Sequence, residues 1–89
     1  MPEIQLTITN AVGLHARPAS LFVHEASKFE SDITIINGKD TADAKSILDI
    51  LLLGANQGCI ITVRAEGSDA ESALAALHNL HAQNFGEKE

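Results

Sequence analysis

Near its start the chain alternates. Ile4, Leu6 and Ile8 are apolar while Glu3, Gln5, Thr7 and Thr9 are polar, the period-two signature of a strand with one wet face. The period lengthens after residue 15. Ala19, Phe22, Val23, Ala26 and Phe29 recur at helical spacing, which predicts a helix from about Ala16 to Phe29 with His24, Glu25 and Lys28 turned outward. Ser31 to Ile36 reads as a second strand, and Asn37-Gly38 as a two-residue turn that sends a third strand back from Lys39. That register sets Ile33 opposite Ala42 and Ile35 opposite Asp40, so strand three has a thin core side and belongs at a sheet edge. After Gly58, Cys59, Ile61, Val63 and Ala65 alternate with Ile60, Thr62, Arg64 and Glu66. This predicts a fourth strand with Cys59 on its apolar side as a buried, inert thiol.

Two stretches carry helix-start signals. Ser46-Ile47-Leu48-Asp49 has the spacing of a capping box, and a short helix should run to about Leu53 before Gly54 ends it. Ile47, Leu48, Ile50, Leu51, Leu52 and Leu53 surround so short an axis, so some of them must stay exposed. Such a patch suits docking of a protein, or tight packing against the first helix, and the pattern leaves both readings open. Ser68-Asp69-Ala70-Glu71 is a second capping box, and Ala70, Ala73, Leu74, Leu77 and Leu80 or His81 form the stripe of a last helix. The order is βαββαβα. It predicts a two-layer α+β open-faced sandwich, a four-stranded antiparallel sheet with all three helices on one face. The pattern does not fix the strand order.

Composition narrows the class. Eighty-nine residues, 45% hydrophobic and 20% charged, suit a single domain over 1–89 with a frayed tail at about 84–89. The lone cysteine, Cys59, cannot form an internal disulfide, and Met1-Pro2-Glu3-Ile4 shows no export signal, so a cytoplasmic protein is expected; a monomer is expected as well. No apolar stretch approaches membrane-spanning length. A net charge of −6 and the absence of Trp and Tyr argue against nucleic acid, which calls for clustered cations and stacking platforms. His78 and His81 stand three apart, but no carboxylate or cysteine completes a ligand set. They are read as surface residues, and the chain is assigned no metal and no cofactor.

The candidate chemistry lies where the strand pattern gives way to the helical one, in Asn10-Ala11-Val12-Gly13-Leu14-His15-Ala16-Arg17-Pro18-Ala19-Ser20. Pro18 suits a first helical turn, where its missing N–H is no loss. The unpaired backbone N–H groups there, at Ala16 and Arg17, and the positive end of the helix dipole make an anion site beside the His15 imidazole. The dipole also biases His15 toward the neutral form, which has a lone pair for attack. Arg17 adds a positive fork for phosphoryl oxygens. A cap or a solvated side chain is the plainer reading of His15 taken alone.

Gly13-Leu14-His15-Ala16-Arg17-Pro18-Ala19 resembles the active-site signature of the HPr family, phosphocarriers of the bacterial sugar phosphotransferase system. Phe22-Val23, Ala26, Phe29, Ser31, Ile33, Ala44-Lys45-Ser46-Ile47, Leu53-Gly54, Gly58 and Gly67-Ser68-Asp69-Ala70 extend the likeness across nearly the whole chain. The resemblance implies the strand order 1-4-2-3. It also implies that His15 accepts phosphate at Nδ1 from phosphorylated enzyme I, charged by phosphoenolpyruvate, and passes it to sugar-specific IIA proteins. A carrier of this kind is not an enzyme in its own right. Partners would dock on Ser20, Ile47, Leu48 and Leu51, and Ser46 would be the target of an ATP-dependent kinase/phosphorylase. A paralogue in a nitrogen-related or other phosphorelay, and an unphosphorylated regulatory module, are the alternatives. One departure stands out: Asp40 and Asp49 bring carboxylates to a docking face that is often basic in relatives, and Leu52 thickens its apolar patch.

Overall fold

The computed structural model describes residues 2–8, 16–55 and 58–83. The elements are β1 (Glu3–Thr7), α1 (Ala16–Ala26), β2 (Asp32–Asn37), β3 (Asp40–Asp43), α2 (Ile47–Leu52), β4 (Ile60–Glu66) and α3 (Ala70–Ala82). The strands form one antiparallel sheet in the order β1-β4-β2-β3, as the resemblance implies, and β3 is the expected edge. The helices lie together over the sheet in an open-faced α+β sandwich. Here α3 crosses β1 and β4, and α2 packs against α1 and β3. The buried layer between them holds Leu6, Ile8, Phe22, Ile33, Ile35, Ile50, Ile61, Val63 and Leu77, the inward positions of both periodicities. No helix among the described residues is long and apolar enough to cross a membrane.

Several local expectations change. Helix α1 stops at Ala26 rather than Phe29: the Lys28 and Phe29 amides reach back three residues, to Glu25 and Ala26, each at 3.2 Å. The tightened last turn leads Phe29 onto the core as a half-buried residue outside the helix. The hairpin register also moves by two. Ile35 lies opposite Ala42 and Asn37 opposite Asp40, so Asn37 ends β2 and the turn residues are Gly38, with φ +64°, and Lys39. A two-residue slip keeps every side chain on its face. It replaces Asp40 by Ala42 against buried Ile35, and brings Ala44 to the Ile33 carbonyl at 3.0 Å. Asp40 is thereby moved out to the exposed hairpin end.

Cys59 precedes β4 and is half-buried rather than buried. His81 is likewise half-buried rather than a surface residue, and its Nε2 donates to the Thr7 carbonyl at 2.5 Å. His24 and His78 are exposed as expected. The cap of α3 is also different. Asp69 occupies the N-cap position but makes no side-chain cap bond. Its Oδ2 accepts the Glu30 N–H at 2.8 Å, and its Oδ1 accepts the Ser31 N–H at 2.9 Å and the Ser31 hydroxyl. These bonds to the ionised form, led by the Ser31 hydroxyl and the Glu30 amide, hold the Asp69 carboxyl below its ordinary pKa.

Candidate functional site

The first turn of α1 is built as the sequence suggested. Pro18 and Ala19 are buried and fix the turn on the core, while the Arg17 and Ser20 side chains are exposed. No carboxylate stands in this turn, whereas α2 and α3 carry Asp49 and Glu71 in theirs. No carboxylate of its own first turn therefore neutralises the N-terminal partial charge of α1. His15 directly precedes this turn in the chain. Its side chain lies outside the described residues, as do segment 9–15 and the expected tail at 84–89. The strand end from which segment 9–15 departs is held twice: Ile8 donates to Cys59 and Gly58 donates to Ile8, both at 2.8 Å.

Helix α2 supplies the second part of the site. The Ser46 hydroxyl caps it, accepting the Asp49 amide at 3.3 Å. The reciprocal half of a capping box is not made, because Asp49 Oδ2 accepts the Asp43 amide at 3.4 Å instead. The Lys45 ammonium donates to the Phe29 carbonyl at 2.8 Å and ties the start of α2 to the exit of α1. Gly54, at φ +69°, ends the helix as expected.

Ile50 and Leu53 are buried, while Leu52 and Leu48 are 77% and 65% exposed and Ile47 and Leu51 42% and 40%. At about 100° per residue, Ile50 and Leu53 set an inward direction and Leu48 falls opposite it. Ile47 and Leu51 lie on one flank and Asp49 on the other. The outward row is thus Leu48–Leu52, which joins Leu48 of the expected docking residues to the leucine expected to thicken the patch. The buried pair Ile50 and Leu53, three apart, is the signal that would have oriented the wheel. Exposed leucines on so short a helix favour the docking reading over complete packing against α1.

Among the described residues no group of three or more His, Cys, Asp or Glu side chains is placed to hold a metal ion. The surface with chemical character is therefore a carboxylate-free helix start beside an exposed apolar helix. Comparison with known proteins gives it a family. The family model for the PTS HPr component phosphorylation site matches residues 2–83. The phosphocarrier protein HPr of Xylella fastidiosa is 42% identical over 87 residues, 98% of each chain. HPr of Mycoplasma capricolum is 44% identical over 77 residues, 86% of each. A crystal structure of HPr from Thermoanaerobacter tengcongensis superposes with a TM-score of 0.95 at 46% identity, covering 100% of both chains. With a matching family model, full-length relatives and a shared fold, this chain belongs to the HPr family of phosphocarrier proteins of the phosphotransferase system.

Proposed function

We propose that His15 is the residue that carries the phosphoryl group, taking it from phosphorylated enzyme I and giving it to sugar-specific IIA proteins. The observation that carries this reading is the first turn of α1, carboxylate-free, with Arg17 exposed, directly after His15 in a chain that matches the phosphorylation-site family. In the transfer the Nδ1 lone pair of neutral imidazole attacks phosphorus, a P–N bond forms, and the bond to the donor breaks with its electrons leaving to the donor. No proton need be removed first. The Ala16 and Arg17 backbone N–H groups and the Arg17 guanidinium stabilise charge on the phosphoryl oxygens. Being solvent-facing, Arg17 serves both directions of exchange.

Partners dock across Ser20, Ile47, Leu48, Leu51 and Leu52. Ser46 stands at the edge of this surface, and a kinase that phosphorylated it would add about two negative charges there while leaving the cap position favourable for an anion.

Incubation with phosphoenolpyruvate and enzyme I, followed by mass spectrometry, tests the assignment. One acid-labile, base-stable phosphate is expected on His15 and none on a folded His15→Ala variant. Stoichiometric labelling of His24, His78 or His81 in that variant would overturn it.

A further inference from the structure

The apolar row of α2 has an acidic border on its β3 side. Asp40, Thr41, Asp49, Leu52 and Leu53 line a cleft of about 240 Å³, and on the other side of Asp49 a second hollow of about 390 Å³ is lined in part by Asp32, Asp43 and Lys45. Four carboxylates, Asp32, Asp40, Asp43 and Asp49, therefore follow one edge of the docking helix. Ion pairs among the described residues join Lys28 to Glu25 and Arg64 to Glu3, so none of the four is neutralised that way. Asp43 Oδ1 accepts the Lys45 amide at 2.9 Å and Asp49 accepts one backbone N–H, while the Asp40 side chain has no such bond among the described residues. Two lysines are near: Lys39 in the exposed turn, and Lys45, whose ammonium is turned to the Phe29 carbonyl.

We propose that this border selects its partner: the protein that covers Leu48 and Leu52 presents a Lys or Arg beside its apolar contact, and that cation enters the cleft between Asp40 and Asp49. The inference rests on the reading of α2 as the docking helix and adds the chemistry of the partner surface. Covering Leu52 brings a partner over the mouth of a cleft that Leu52 itself lines. An acidic or purely apolar partner would then shield Asp40 and Asp49 from water without a counter-charge, whereas a cation offsets that cost and fixes the rotational setting of the complex. Arg17 is on α1 and the carboxylates are on the β3 side of α2. The matching partner surface is therefore polarised, anionic toward the α1 start and cationic toward β3.

The test uses the full chain with enzyme I and the IIA proteins encoded in the same genome, with dissociation constants measured at about 20 mM and about 300 mM salt, on either side of effective screening. Asp40→Asn changes an exposed side chain at the hairpin end and should melt like the parent. It is expected to weaken binding about two- to fivefold at low salt and Asp40→Lys about tenfold, both losses shrinking at high salt. Leu48→Ser separates the two readings. If Leu48→Ser weakens binding while both Asp40 variants bind as well as the parent or tighter, the acidic border selects nothing and the inference fails alone. If Leu48→Ser also leaves binding unchanged, α2 is not the docking helix and both readings fail.

Discussion

A methyl group on Gly67 would lie 2.5 Å from the Ser31 hydroxyl oxygen and 2.8 Å from the Ser31 Cα. The β4–α3 connection thus runs directly over the start of β2, and the same serine is held by the Asp69 carboxylate two residues further on. Gly67→Ala meets backbone it cannot displace and must also adopt φ near +150°. The expected loss is about 2–3 kcal/mol, at the upper end of overpacking costs, read as a lower urea midpoint with an unchanged slope.

Asp69 makes stability depend on pH. Its pKa is lowered in the fold, so its contribution is fully present above the unfolded-state value and is lost as pH falls through the folded-state value. Asp69→Asn should be less stable than the parent at pH 7. The gap should narrow in acid below about pH 4, the ordinary aspartate range. A constant gap from neutral to strongly acid pH would mean that ionisation of Asp69 contributes nothing.

The Ser46 cap and the proposed Ser46 switch separate by substitution. Ser46→Ala removes the acceptor for the Asp49 amide and should cost about 1 kcal/mol. Ser46→Asp keeps an acceptor at the helix start, so it should melt close to the parent yet accept phosphate from enzyme I more slowly. Equal acceptance rates at all salt concentrations would leave Ser46 as a cap alone.

Arg17 is exposed and sits in the first turn of α1, so Arg17→Ala should change stability by less than about 1 kcal/mol. Phosphoryl exchange should slow about tenfold or more in both directions, since the fork contacts the group as it arrives and as it leaves. Stopped-flow or quench measurements of forward and reverse transfer decide this.

Ile50 is buried under α2. Ile50→Ala should cost about 2–4 kcal/mol and loosen α2 more than the sheet. Hydrogen exchange checks the second half: amides of α2 should lose more protection than those of β4.

Element types and faces were legible because burial follows period. Leu6 and Ile8, Phe22 and Ala26, Ile61 and Val63, and Ala73 and Leu77 sit inward as the spacing required. The hairpin register was not, because Asn37-Gly38 signals a turn on local preference while the choice between Ala42 and Asp40 opposite Ile35 is a long-range matter of core polarity. Nor could the pattern assign Asp69. Spacing makes it part of a helix cap, but its partners, Glu30 and Ser31, are 38 or more positions away in sequence. At the candidate site, periodicity and Pro18 placed the start of α1. Which leucines of α2 point outward depended on how Ile50 and Leu53 seat against α1 and β3.

The side chains that anchor α2 and those it displays are separate sets. Ile50 and Leu53 face the interior, while Leu48 and Leu52 are turned to solvent and Ile47 and Leu51 lie between, more than half covered. Foldability and recognition can therefore drift independently here. A descendant of this chain could acquire a new clientele by rewriting the two outward leucines of one short helix, and its folding equilibrium would hardly register the change.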